Sequence, residues 1–118
     1  MSIYQTKILN IGPEAEIFKE EKMMILFGDD APADLADYCY GIEKANLSEE
    51  IQVGQYVVIE GHEFQITAVG NVVNKNLQEL GHITIKFDGA VSPELAGTLY
   101  VEDKPIPNVE NGSEISIV

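Results

Sequence analysis

Thr67-Ala68-Val69-Gly70-Asn71-Val72-Val73-Asn74-Lys75-Asn76-Leu77-Gln78-Glu79-Leu80-Gly81-His82-Ile83-Thr84-Ile85-Lys86-Phe87-Asp88-Gly89 reads as strand, short helix, strand. Asn74 is placed to cap the helix start with its side-chain oxygen, and Gly81 suits the left-handed conformation that ends a helix. Beyond His82, the residues Ile83, Ile85 and Phe87 alternate with Thr84, Lys86 and Asp88, the period of a strand with one buried face. Asp88-Gly89 then supplies turn chemistry. A histidine held between a helix end and a strand start sits beside loops, where sites concentrate.

Outward from this stretch, short β-rich runs recur. Upstream, residues 56–60 and 63–69 read as a hairpin joined by Gly61-His62, with His62 as a solvated turn residue. Residues 3–11 form a strand that stops at Gly12-Pro13. Residues 14–22 suit a helical turn, and Met23 to Phe27 form an apolar run covered on both faces. Asp30 is placed to cap a short helix carrying Leu35 and Tyr38 on one face, followed by a part-strand in 39–47. Downstream, 98–102 and 114–118 complete the set. No internal repeat is visible. Six or seven short strands with two or three short helices predict a mainly all-β fold, a small antiparallel barrel or sandwich, as one domain over residues 1–118.

The 118 residues carry a formal charge of −13, from 20 acidic and 7 basic side chains, and all seven basic residues are lysine. A nucleic acid or an anionic lipid surface requires a basic face, so both are excluded as partners. The absence of arginine removes the planar fork that grips phosphate. The single Cys39 has no internal disulfide partner and reads as a small buried side chain. No run approaches the ~20 apolar residues of a membrane span, and the first residues lack a signal-peptide core, which predicts a cytoplasmic protein. With two histidines and one cysteine, no metal-binding spacing exists, and no cofactor loop is present. The sharp chemical candidate is a histidine that accepts a phosphoryl group, since neutral imidazole is nucleophilic near neutral pH.

Several pieces, in order along nearly the whole chain, carry a family resemblance. They are Ala31-Pro32-Ala33-Asp34-Leu35 with Tyr38-Cys39, Thr67-Ala68-Val69-Gly70, Asn76-Leu77-Gln78-Glu79-Leu80-Gly81-His82, Phe87-Asp88-Gly89 and Gly97-Thr98-Leu99-Tyr100-Val101. The sequence resembles the glucitol/sorbitol-specific IIA component of the phosphotransferase system. That resemblance implies a cytoplasmic relay, peripheral to a membrane permease. It would take a phosphoryl group from the phosphorylated histidine carrier protein and pass it to the IIB domain of the permease. It also implies an acceptor histidine shortly after the Tyr-Cys pair, where this chain has Ile42. Glu43, one position on, reads as a surface residue. Two expectations follow: a working IIA component that uses His82, or a phosphorylation-incompetent paralogue that serves as a binding or regulatory module. A bare strand edge on so small a domain makes a homodimer a further expectation.

Overall fold

The computed structural model describes residues 2–118, and its strands close on themselves. Eight strands are present: β1 (Tyr4–Ile11), β2 (Met23–Gly28), β3 (Tyr40–Ile42), β4 (Tyr56–Ile59), β5 (His62–Val69), β6 (Ile83–Lys86), β7 (Thr98–Val101) and β8 (Glu114–Ile117). A 3-10 segment, Ala15–Glu21, and two helices, α1 (Ala33–Ala36) and α2 (Val73–Leu80), lie between them. Around the barrel the order is β1-β3-β2-β6-β7-β5-β4-β8, with β8 returning to β1. The expected mainly β barrel with short helices is the observed one. Its eight strands exceed the expected six or seven because Tyr40–Ile42 forms a full barrel member. The pairing is mixed: β2/β3 and β6/β7 run parallel and the other six pairs antiparallel. Each parallel pair is joined by a short excursion over the barrel exterior, which alternation alone does not distinguish from a hairpin.

Closure also removes the argument for a homodimer. No described strand presents a bare edge, so edge pairing has no template here.

The barrel contains an internal repeat that the residues do not display. In the first half β1 pairs β3 through Ile8↔Ile42, Asn10↔Gly41 and Ile11↔Tyr40, with a register shift after Ile8. In the second half β5 pairs β7 through Ile66↔Val101, Ala68↔Tyr100 and Val69↔Leu99, with the same shift after Ile66. Gly12 donates to the Cys39 carbonyl and Glu14 to that of Asp37; Gly70 donates to Thr98 and Val72 to Ala96. At both glycines a Cβ would collide with backbone, that of Ala36 and Asp37 in one half and of Leu95 and Ala96 in the other. Two strand–helix–strand–excursion–strand units thus meet along β2 and β6. Their shared requirements are backbone approaches, so only the two glycines register them in sequence.

Alternation fills the interior. Met24, Leu26, Ile42, Ile83, Ile85 and Leu99 are buried, and Phe64 meets Phe87 edge to face at 5.0 Å between ring centroids. Helix α2 buries Val73 and Leu77, one turn apart, on this core. Its start departs from expectation: Val72 occupies the cap position, and Asn74 Oδ1 instead accepts the Ile51 N–H at 2.7 Å, tying the preceding connector to the helix. Asp30 likewise caps no helix and pairs with Lys44. Between β4 and β5 the link is Glu60-Gly61, with φ of 50° and 79°, one residue earlier than expected. Two successive positive φ values match the strand twist in a two-residue turn, and His62 becomes the first residue of β5. No helix among the described residues is long and apolar enough to cross a membrane.

Candidate functional site

Helix α2 ends at Gly81 with φ of 66°, a conformation that costs glycine little, and His82 N–H reaches back to the Asn76 carbonyl at 3.3 Å. The chain then enters β6, which pairs antiparallel with β2 through Leu26↔Ile83. This register brings His82, one residue earlier, beside Phe27. The two rings stack with centroids 4.2 Å apart and planes 25° from parallel. His82 Nδ1 lies 3.1 Å from the Leu26 carbonyl oxygen. A carbonyl only accepts, so Nδ1 carries the hydrogen, and in the neutral ring Nε2 keeps its lone pair. His82 is partly buried. The imidazole is therefore fixed in tautomer and orientation, with one nitrogen available as a nucleophile or proton acceptor.

The same corner receives Ile42. It is fully buried on β3, pairs with Gly28 of β2, and its Cδ1 lies 3.6 Å from where a Gly81 Cβ would stand. Gly28 is pinched between the Leu80 carbonyl and the Lys44 stem, so it has no room for a side chain. Lys44 Nζ contacts Asp30 Oδ2 at 2.8 Å, and this hydrogen bond holds the Asp30 carboxyl below the usual carboxylate range. Both partners are exposed, so the pair adds little stability.

The other sequence candidates fall elsewhere. Glu43 is exposed, while its carbonyl accepts from the Thr6 hydroxyl. His62 is exposed on the rim of a separate open groove of about 590 Å³, with Phe64, Lys104 and Pro105. Cys39 is buried, as expected, which pushes its thiol pKa up. The sequence singles out His82 as a candidate but not the residues that orient its ring, Leu26 and Phe27. Their apolar run was read as a strand, yet nothing in it announces that its neighbour is the strand after His82.

A small closed barrel of this kind is the fold of a solved phosphotransferase-system IIA component. The structure aligns with one titled "The Crystal Structure of PTS System IIA Component from Enterococcus faecalis V583", at TM-score 0.83 and 27% identity, covering 97% of this chain and 99% of that one. Residues 3–116 match the family described as the PTS system glucitol/sorbitol-specific IIA component. Two relatives named "PTS system glucitol/sorbitol-specific EIIA component", from Shigella flexneri and Escherichia coli (strain K12), are each 40% identical over 106 residues, covering 90% of this chain and 85% of each relative. The chain belongs to the glucitol/sorbitol-specific IIA component family.

Proposed function

We propose that this chain, as one domain, relays a phosphoryl group from a phosphorylated histidine carrier protein to the IIB domain of a sugar permease, on the cytoplasmic side, with His82 as acceptor. The observation that carries this is the Leu26 carbonyl on His82 Nδ1. It leaves Nε2 with the lone pair that attacks phosphorus. In the step, the Nε2–P bond forms as the P–N bond to the carrier breaks, and the bonding pair stays on the carrier's ring nitrogen. No proton needs to move, and the His82 Nδ1–H remains on Leu26 while the ring takes up positive character beside the phosphoryl anion. The second transfer, to the IIB domain, repeats the displacement with Nε2 as leaving group.

Incubation with phosphoenolpyruvate, the general phosphotransferase enzyme and the carrier protein tests this by intact mass. One added phosphoryl group, lost in His82→Ala, is expected. Labelling that survives His82→Ala refutes the residue assignment.

The buried Ile42 supports a second reading. The resemblance assigns an acceptor histidine to that position, and an aliphatic side chain there accepts nothing. A chain that gains no mass with active partners is a phosphorylation-incompetent paralogue acting as a binding or regulatory module.

A further inference from the structure

Three of the seven lysines gather at the end of the barrel away from His82. The β2/β6 ladder runs from Leu26↔Ile83, beside the histidine, to Met23↔Lys86, beside Lys22. There Lys19, Lys22 and Lys104 line a cavity of about 370 Å³ together with Asp103, Pro105 and Ile106. Lys104, Pro105 and Ile106 also wall the groove of about 590 Å³ that His62 and Glu63 border, so the two spaces adjoin as one trough. Both volumes suit a small molecule. We infer that this trough binds a phosphate monoester of a small polyol, with the phosphate at the Lys19 and Lys22 end and the hydroxyls toward Glu63 and His62. The site stands apart from His82 and does not depend on the relay reading.

Backbone strain singles out Lys22. It adopts φ of 60°, a left-handed conformation that strains any residue with a Cβ, where the matching position of the other half is Gly81. That strain holds an ammonium group at the trough. The ion pairs around it are open ones. Lys22 Nζ meets the two Asp103 oxygens at 3.0 and 2.9 Å, and Lys19 Nζ meets Glu16 Oε2 at 3.1 Å. Lys104 Nζ meets Glu102 Oε1 at 3.4 Å and donates to the Glu63 carbonyl at 3.1 Å. Pairs as open to water as these contribute little and exchange partners readily, so a dianion that meets several ammonium groups at once competes for them. Lysine suits this role, as a point charge on a flexible stem that needs no fork geometry. The carboxylates decide the rest of the ligand. Glu63, Glu102 and Asp103 accept hydroxyl hydrogens but repel a second anionic group, which favours a neutral polyhydroxylated body over a dicarboxylate. Phe64 offers no free face to a nucleobase, since its ring is buried edge to face with Phe87 and Lys104 Nζ lies over it, 5.9 Å from the centroid. Pro105 and Ile106 supply apolar contact for the carbon chain.

Titration calorimetry at low salt, with glucitol phosphate, inorganic phosphate and glucitol as separate titrants, tests the site, and amide NMR shifts locate it. Glucitol phosphate is expected to bind with a Kd of about 1 mM or tighter, inorganic phosphate about tenfold more weakly, and glucitol alone not at all. The shifts are expected to gather in residues 19–22, 61–64 and 103–107. Lys104→Met keeps the apolar stem and removes the charge, while Lys22→Gly removes charge and strain together; each is expected to weaken binding about tenfold or more. Lys22→Gly is also expected to unfold at higher urea, so its loss of binding does not come from a damaged fold. Lys75→Met, on α2 and outside the trough, removes the same unit of net charge and is expected to leave Kd within about twofold. No heat and no shift up to about 10 mM glucitol phosphate overturns the inference. Inorganic phosphate or glucitol binding as tightly as the ester overturns the ligand class. Equal weakening by Lys75→Met overturns the site, because it marks a response to the overall field alone.

Discussion

Replacing Ile42 by histidine restores the residue type that the family resemblance expects, and the structure predicts that the fold resists it. Ile42 is fully buried in the barrel, opposite both Ile8 and Gly28, with its Cδ1 directed at the Gly81 backbone. Removing the isoleucine forfeits about 2–3 kcal/mol of apolar burial. The imidazole that replaces it brings two ring nitrogens into a site where the ladder already uses the neighbouring backbone groups, adding about 1–3 kcal/mol for unpaired polar atoms. The sum, about 3–6 kcal/mol, is a large fraction of the ~5–15 kcal/mol that holds a typical domain together. Because the chain has no tryptophan, urea unfolding is followed by far-UV circular dichroism. A midpoint lowered by roughly 2 M is expected for a slope of about 2 kcal/mol per M. Intact mass of the Ile42→His protein, under native conditions with phosphoenolpyruvate and the two partner proteins, is expected to show no phosphoryl group on the introduced imidazole. A loss below about 1 kcal/mol together with phosphorylation of that imidazole would refute the argument. It would mean that β3 opens at this point and that the acceptor site belongs to β3 rather than to β6.

The internal repeat predicts matched sensitivities. Gly12→Ala and Gly70→Ala each push a Cβ into carbonyl backbone of the crossing excursion, so each is expected to cost about 3 kcal/mol or more in urea unfolding; a cost below about 1 kcal/mol at either position breaks the equivalence of the halves. Tyr40→Phe is expected to stabilise the protein by about 1 kcal/mol at pH 7, because the Tyr40 hydroxyl is buried without a hydrogen-bond partner. Burial, with Glu16 adding to it, also pushes the Tyr40 pKa up to about 12 from 10.0. The folded state therefore holds the phenolic proton more tightly than the unfolded one. That contribution is complete below pH 10 and is lost as pH rises from about 10 to 12. Over that window the wild type is expected to lose about 2–3 kcal/mol more than Tyr40→Phe, and parallel stability curves for the two proteins would contradict it.

Much of the fold around the candidate site is legible in the sequence, and the illegible part has a definite cause. His82 after Gly81, and the alternation of Ile83, Ile85 and Phe87, are local signals, because a left-handed helix end and a half-buried strand are written in consecutive residues. Tyr40–Ile42 shows the opposite case. Three residues have too little periodicity to declare a strand, and their place in the barrel is set by parallel pairing with β2 across α1. Asn74 and Asp30 show a third. Both have the right chemistry for helix caps, but their side chains find distant partners, Ile51 and Lys44, which compete successfully for the same oxygens. The stack of Phe27 on His82 depends on a register between strands far apart in the chain, and pairing of that kind leaves no local trace.

The two halves of the barrel repeat in pairing yet differ in chemistry, and the difference lies at two helix ends. Lys22 and Gly81 occupy equivalent left-handed positions, with φ of 60° and 66°. At the Lys22 end, Phe87 N–H bonds to the Lys22 carbonyl and the lysine side chain leaves for Asp103, so Met23 simply faces Lys86 across the ladder. At the Gly81 end no side chain intervenes, and a Cβ there would sit 3.0 Å from the Gly28 nitrogen. That close approach seats the end of α2 on β2 and turns His82 onto the Leu26 carbonyl. Gly81→Ala therefore strains the backbone by about 1–2 kcal/mol and also lifts the histidine off its acceptor. The expected outcome is a folded protein whose phosphorylation rate falls at least tenfold. Lys22→Gly relieves the equivalent strain at the other end, and is expected to raise stability by up to about 1 kcal/mol with the phosphorylation rate unchanged. Equal effects of the two substitutions on phosphorylation would show that the Gly81 contact does not orient His82.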